Sequence, residues 1–173
     1  MEEILDILKY ILPSVITFIT AFVLVKKFLD RELQDARLKA KLETSKTITP
    51  LKLQAYERLA LLCERISLTA LVTRLHKQGM SARLLQSEMT KTIRAEYEHN
   101  ITQQIYVSSK TWDSVKAAKE ESIKAVNIAA ARLSDSASGM DLVNSLYEII
   151  TKLDRMPTDV ALEIIKHEVR TMF

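Results

Sequence analysis

The feature that most constrains this chain is a run of sixteen uncharged residues, Tyr10–Val25, close to its N-terminus. Apolar residues upstream lengthen the segment to about 22 residues, interrupted only by Asp6 and Lys9. A helix of that length reaches roughly 30 Å, which matches the hydrocarbon core of a bilayer. The sequence therefore predicts a transmembrane anchor over residues 1–27. The expected anchor side chains are Ile11, Ile16, Phe18, Phe22 and Val25.

Three other interpretations of this segment compete with a membrane anchor. A cleaved signal peptide would begin with basic residues, whereas this chain begins with Glu2 and Glu3. A buried core helix remains an alternative, because sixteen uncharged residues are few for a membrane span. An amphipathic helix lying in the membrane plane needs one apolar face, and here apolar side chains surround the axis.

The charges on either side of the run predict its orientation. Residues 1–9 carry three acids and one lysine, whereas residues 26–46 carry seven bases and four acids. Basic residues close to a span are retained on the cytoplasmic side, so Lys26, Lys27 and Arg31 are the expected topology determinants. We expect a single-pass protein of the plasma (inner) membrane, with its N-terminus outside and its C-terminal domain in the cytoplasm.

A polar, helix-favouring stretch follows the anchor, and we interpret residues 28–46 as a short charged helical stalk. Leu29, Leu33, Ala36 and Ala40 follow the spacing of a coiled-coil seam over fewer than two heptads. The stretch is either a solvated stalk or a site of self-association. A pair of small residues in the anchor, Thr17 and Ala21, would support self-association within the membrane.

Composition limits what the remaining residues, 47–173, can form. With two Gly and three Pro in 173 residues, the chain cannot build a Walker loop or a Gly-rich dinucleotide turn, and its composition favours helices. One Cys cannot form an internal disulfide, and a net charge of +3 is too weak to indicate nucleic-acid binding. We predict an all-α protein whose cytoplasmic bundle has four to five helices.

Helix-breaking and capping residues divide that bundle at regular intervals. Thr49-Pro50 predicts a helix start, and the apolar pattern that follows it continues to Leu75 with Gly79 after it. Ser81 predicts the start of the next helix. The remaining predicted helices run from Ser109 to Leu133, from Gly139 to Leu153, and from Pro157 onward. A single bent helix from Ser81 to Leu133 is the alternative to a break near residues 106–109.

The apolar positions of these helices predict the core. One stripe at i+4 spacing is expected in the second helix, at Leu85, Met89, Ile93, Tyr97, Ile101 and Ile105. In the later helices the expected core residues are Trp112, Val115, Ile123, Val126, Ala130, Leu133, Val143, Leu146, Tyr147, Ile150, Val160, Ile164, Ile165 and Val169.

Few residues form patterns that could support catalysis. Glu96 and His99 match the Glu-x-x-His element of di-iron bundles, but such a site needs two of these elements and the chain has one. Cys63 lies on the apolar side of its helix, where burial would raise its pKa and make it a poor nucleophile. Arg58 and Arg65 are interpreted as surface residues with local ion pairs; the alternative is that one turns inward to Glu96 or Glu98. We expect no catalytic residue, no cofactor, no metal and no small-molecule substrate.

Several strings resemble those of a family of uncharacterised single-pass inner-membrane proteins of the Bacteroidota. They are LQAYERL from Leu53, ERIS from Glu64, EYEHNITQQIYVS from Glu96, and the Trp112–Glu121 segment. The resemblance implies a membrane protein with a helical cytoplasmic domain, and no established activity comes with it. The polar cluster within the third string, His99, Asn100, Gln103 and Gln104, is our candidate partner surface.

These observations favour a membrane-tethered helical interaction or scaffold module without catalytic activity. Its expected partners are the lipid bilayer and either a membrane protein or further copies of the chain. The alternative is a stator-like or stalk-like accessory subunit of a larger inner-membrane complex. Such stalks continue as one long helix, so the breaks predicted at Pro50 and Gly79 disfavour it. An enzyme with a dispersed site is the third hypothesis.

Overall fold

The computed structural model describes the backbone of residues 2–172 and the side chains of residues 10–172. The predicted all-α class is confirmed: the described residues contain no β-strand, only one isolated antiparallel bridge between Ser81 and Ser138. The helices are α1 Glu2–Ile66, α2 Leu68–Leu75, α3 Ala82–His99, a 3₁₀ helix Ile101–Ile105, α4 Ser109–Ala131, α5 Gly139–Ile150 and α6 Pro157–Met172.

The chain divides into two compact units, residues 1–49 and 50–173. In the first unit every described side chain from Tyr10 to Thr47 is exposed. The hydroxyls of Thr17 and Thr20 donate to the carbonyl oxygens of Pro13 and Ile16, both at 2.8 Å. These two side chains thus satisfy their hydrogen bonds within their own helix.

The helix start predicted at Thr49-Pro50 is wrong, because α1 continues through both residues. Thr49 does not act as an N-cap; its hydroxyl lies 3.2 Å from the hydroxyl of Ser45, one turn earlier. Proline inside a helix removes one N–H donor and crowds the carbonyl four residues before it. Pro50 is exposed, so water can satisfy that carbonyl, and the helix-favouring residues 51–55 after it continue the helix.

The helix predicted from Pro50 to Leu75 is instead divided at Ser67. Ser67 has an extended conformation, with φ −60° and ψ 138°, and separates α1 from α2. Its hydroxyl donates to the carbonyl oxygen of Glu64 at 2.9 Å, and Arg74 donates to that of Arg65 at 3.2 Å. These bonds satisfy carbonyls that a helix end leaves free. Among the described residues, the second unit therefore holds the end of α1, five further α-helices and the 3₁₀ helix, where the sequence predicts four to five helices.

The other predicted helix starts are confirmed. The hydroxyls of Ser81 and Ser108 accept hydrogen bonds from the amides three residues later, at 3.3 and 3.2 Å. Residues 81–133 form two α-helices, α3 and α4, and the 3₁₀ helix and the Ser108 cap lie between them. Ser138 caps α5 in a reciprocal arrangement with Asp141, and Pro157 begins α6.

One hydrophobic core fills the second unit. Its largest fully buried side chains are Tyr56, Leu59, Leu62, Ile66, Leu68, Leu71, Leu85, Met89, Ile93, Val115, Leu142 and Leu146. The predicted stripe of α3 is buried only as far as Ile93, with Tyr97 partly buried. Ile105 is 73% exposed, because the chain leaves the helix at Asn100. Ile101, Tyr147 and Val160 are also exposed, contrary to prediction.

Candidate functional site

An open groove of about 610 Å³ lies in the second unit, between the end of α1 and α3. On each helix the lining residues recur every three or four positions, so they lie on one face of that helix. The α1 side consists of Arg58, Leu61, Leu62 and Arg65. The α3 side consists of Glu88, Lys91, Thr92, Ala95, Glu96 and His99, with Asn100 after it. Two of the four predicted partner-surface residues, His99 and Asn100, therefore line the groove, whereas Gln103 and Gln104 do not.

The partner-surface residues differ in exposure. His99 and Gln104 are exposed and Gln103 is half-buried. Asn100 is buried, and its amide donates to the carbonyl oxygen of Glu96 at 2.9 Å. Asn100 thus ends α3 by satisfying a terminal carbonyl. The side chain of Asn100 therefore belongs to the scaffold of the groove, whereas that of His99 is exposed.

An ion pair joins the two walls of the groove. The Nε and Nη2 atoms of Arg65 lie 2.7 and 2.6 Å from Oε1 of Glu96, and Nη2 of Arg74 lies 3.9 Å from the same oxygen. The side chain of Glu96 is 16% exposed and that of Arg65 is 47% exposed. Arg65 therefore pairs with Glu96, the inward alternative, while keeping half of its surface in solvent.

The rest of the groove combines an apolar floor with charged edges. Leu62 is buried at its base, and Leu61 is 56% exposed beside it. Arg58 and Lys91 form no ion pair within residues 10–172. With Glu96 neutralised by Arg65, these two bases face one acid, Glu88. The groove thus offers apolar contact and a small excess of positive charge.

The groove residues do not form a recognisable catalytic or metal-binding arrangement. The carboxylate of Glu96 pairs with Arg65 through Oε1, and within the described residues no hydrogen bond joins Glu96 to His99. Within the described residues, no group of three or more His, Cys, Asp or Glu side chains could hold a metal ion.

Cys63 lies outside the groove, among the core residues. Burial, and to a smaller extent the charge of Glu64, raise the pKa of its thiol to about 12. We expect the folded full-length chain to resist labelling by a maleimide at pH 7, because thiolate is scarce and the sulfur is covered. Mass spectrometry should show labelling of Cys63 only after denaturant is added. Rapid labelling of the folded chain would contradict this burial.

Sequence reasoning missed a second polar cluster, centred on Glu168 of α6. Its carboxylate accepts hydrogen bonds from the hydroxyl of Tyr56 at 2.7 Å, from the amide and hydroxyl of Ser108 at 3.2 and 2.7 Å, and from the hydroxyl of Thr111. Glu168 therefore links α6 to the end of α1 and to the first turn of α4. A carboxylate at a helix N-terminus is favoured by the helix dipole.

The donors of this cluster are buried or at the helix start. Tyr56 is 2% exposed. Burial raises its pKa above the ordinary 10.0, and the bond to Glu168 and the charge of Glu168 raise it further. Tyr56 is thus a protonated donor throughout the physiological range. The cluster links three helices through hydrogen bonds, so we assign it to stability.

Comparison with known proteins identifies a family and no activity. A protein-family model described as "Family of unknown function (DUF7935)" matches residues 2–172. No curated protein and no solved structure matches the chain.

Proposed function

The chain belongs to the DUF7935 family of unknown function, and from its own residues we propose that it is a membrane-tethered helical interaction module without catalytic activity. The first part of α1 would anchor it in the inner membrane. The second unit would bind a membrane-protein partner through the groove between α1 and α3. Tethering raises the local concentration of such a module near membrane partners.

The observation that carries this proposal is the exposure of the apolar run. Within residues 10–172, α1 is the one helix long and apolar enough to cross a membrane, and none of its apolar window is buried against the protein. Phe18 and Phe22 are 71% and 61% exposed. A continuous apolar surface of this kind is unfavourable in water and favourable in lipid. The exposure also argues against the alternative of a buried core helix.

The charges beside the run support an orientation with the C-terminal unit in the cytoplasm. Lys26, Lys27 and Arg31 follow the apolar run directly and are exposed. Their translocation across the membrane is disfavoured. A buried, reduced Cys63 agrees with a reducing compartment.

The groove supports binding of a segment with a matching surface. An apolar side chain of the partner would pack on Leu61, and an acidic side chain would lie between Arg58 and Lys91. His99 would contact the partner at the end of the groove. Such a segment would complement both the apolar floor and the excess positive charge.

One observation favours the second candidate, a stalk-like accessory subunit of a larger membrane complex. Helix α1 runs from Glu2 to Ile66 without the break that the sequence predicts at Pro50. A long helix leading out of the membrane is the architecture of a peripheral stalk. Helices α2–α6 form a folded unit that a simple stalk does not need.

Membrane fractionation with cysteine labelling tests the anchor and its orientation. We expect the full chain to remain in membranes after an alkaline carbonate wash. A membrane-impermeant maleimide should label a Glu3→Cys variant in intact spheroplasts and a Lys152→Cys variant only after permeabilisation. Release by carbonate would overturn the anchor, and the opposite labelling pattern would overturn the orientation.

Site-specific photo-cross-linking in native membranes tests the groove. A photoreactive residue at Leu61, which is 56% exposed in the groove, should give one discrete cross-linked product. The matched control is Leu84, which is 50% exposed on α3 outside the groove. Equal or diffuse products from both positions would refute a binding role for the groove. Recovery of one large complex from both positions would favour the stalk-like subunit.

A further inference from the structure

We propose that two copies of the chain pair in parallel along α1, through a seam formed by Leu29, Leu33, Ala36 and Ala40. This inference deepens the proposed function and depends on its anchor, because a shared membrane would hold both copies of α1 in the same direction. The partner in this interface is a second copy of the same chain.

The four seam residues lie on one side of a continuous helix. They alternate at spacings of four and three, which places Leu29 and Ala36 at d positions and Leu33 and Ala40 at a positions of a heptad repeat. Leu29 and Leu33 are exposed, so nothing within the described chain covers them. An exposed apolar stripe on a charged helix favours burial against a partner helix.

The same register continues into the apolar run. Counting back from Leu29, the a and d positions are Phe22, Ile19, Val15 and Leu12, with Lys26 between the two segments. A single lysine at an a position reduces stability but helps to specify register and oligomeric state. The seam is therefore continuous with the membrane segment over residues 12–40. Thr17 and Ala21 fall at f and c positions, on another face, so the proposed interface does not use them.

The charged residues of the stalk avoid the seam. Every charged residue between positions 27 and 42 lies outside it, namely Lys27, Asp30, Arg31, Glu32, Asp35, Arg37, Lys39 and Lys41. Three further exposed apolar residues, Phe28, Leu38 and Leu42, do not form a second stripe. Arg31 and Asp35 occupy the f and c positions, respectively, between Phe28 and Leu38. Between residues 27 and 42, one face alone thus offers an uninterrupted apolar contact.

The charges beside the seam match those of a parallel second copy. Glu32 occupies a g position and Arg37 the following e position, and in a parallel dimer these two positions face each other across the interface. Two-fold symmetry produces this attractive pair twice. Neither residue forms an ion pair within residues 10–172. Charge complementarity therefore identifies a parallel copy as the occupant.

Disulfide cross-linking of the full chain in native membranes tests the pairing. Leu33→Cys replaces a seam residue, and Leu38→Cys replaces a leucine of similar exposure, 58% against 52%, at an f position. After mild oxidation, Leu33→Cys should give about tenfold more product at twice the 19.7 kDa chain mass than Leu38→Cys. The unsubstituted chain, with only buried Cys63, should give none. Equal cross-linking of the two variants, or none, would overturn the proposal.

A charge exchange tests the register independently. In the Leu33→Cys background, Glu32→Lys alone would place two bases together and should reduce the dimer several-fold. Adding Arg37→Glu should restore it, because the pair is then reversed and attractive again. A double variant no better than the single one would refute the register. Carbonate washing of the same membranes separates failure of the dimer from failure of the anchor. A chain that stays in the washed membranes but does not cross-link refutes the dimer and leaves the anchor intact.

Discussion

A Glu168→Ala variant should lose about 3 kcal/mol of unfolding free energy, one of the two largest effects we expect in this protein. The substitution removes the acceptor of hydrogen bonds from Tyr56, Ser108 and Thr111. The hydroxyl of Tyr56 is buried, so water cannot readily replace the carboxylate there. Denaturant titration of the full chain in detergent, followed by the fluorescence of the sole tryptophan, Trp112, measures the loss.

Two control variants separate this contact from a general effect of losing a charge on α6. Glu163 lies on the same helix, is exposed and pairs with Arg155, so Glu163→Ala should cost less than about 0.5 kcal/mol. Tyr56→Phe keeps the buried ring and removes one donor, so about 1 kcal/mol is expected. If Glu168→Ala behaved like Glu163→Ala, the carboxylate would not be linking the helices.

The pKa of Glu168 predicts how the unfolding free energy depends on pH. Burial alone would raise the pKa of Glu168, but hydrogen bonds from Thr111, Ser108 and Tyr56 outweigh burial and lower it below the ordinary 4.5. A carboxyl group with a lowered pKa in the fold stabilises the protein above its unfolded pKa. That contribution is lost as pH falls from about 4.5 through the folded pKa. The stability difference between the unsubstituted chain and Glu168→Gln should therefore shrink in that window; a constant difference would contradict it.

Local signals account for the parts of the fold that the sequence predicts well. A serine cap and the amide it binds are three residues apart, so Ser81 and Ser108 are recognisable from a few neighbouring residues. The apolar stripe of α3 is equally local as far as Ile93. The Thr49-Pro50 pattern has the same local form, yet it lies within α1. Local preference was insufficient there because α1 continues into the helix-favouring residues after Pro50 in spite of the proline.

Long-range contacts account for what was missed. Glu168 lies 112 residues from Tyr56 and 60 from Ser108, and no spacing rule connects positions so far apart. The break at Ser67 has no proline or glycine to mark it; it places Leu68 and Leu71 in the core formed with Ile66. In the groove, the sequence suggested Glu96 as an inward partner for Arg65 but could not show that α1 and α3 lie side by side.

A Gly139→Ala variant should lose about 2 kcal/mol, although alanine is usually the better helix residue. A Cβ atom at Gly139 would lie 2.9 Å from the carbonyl oxygen of Met80 and 3.1 Å from the ring of His76. The imidazole can rotate away, but the carbonyl is backbone and accepts the amide of Gly139 at 2.6 Å. The added methyl group must therefore separate the starts of α3 and α5, which the bridge between Ser81 and Ser138 holds together.

Gly79→Ala provides the matched control, because its cost has a different origin. Gly79 has φ +81° with no atom within 4 Å of an added Cβ, so alanine there should cost about 1 kcal/mol from backbone strain alone. The amide of Ala82 donates to the carbonyl of Ala137 at 2.9 Å, so its hydrogen exchange shows whether the starts of α3 and α5 have separated. Its hydrogen exchange should accelerate more in Gly139→Ala than in Gly79→Ala, because only the former forces the two helix starts apart. A stabilised Gly139→Ala variant with unchanged exchange at Ala82 would show that the close approach of these backbones is not required.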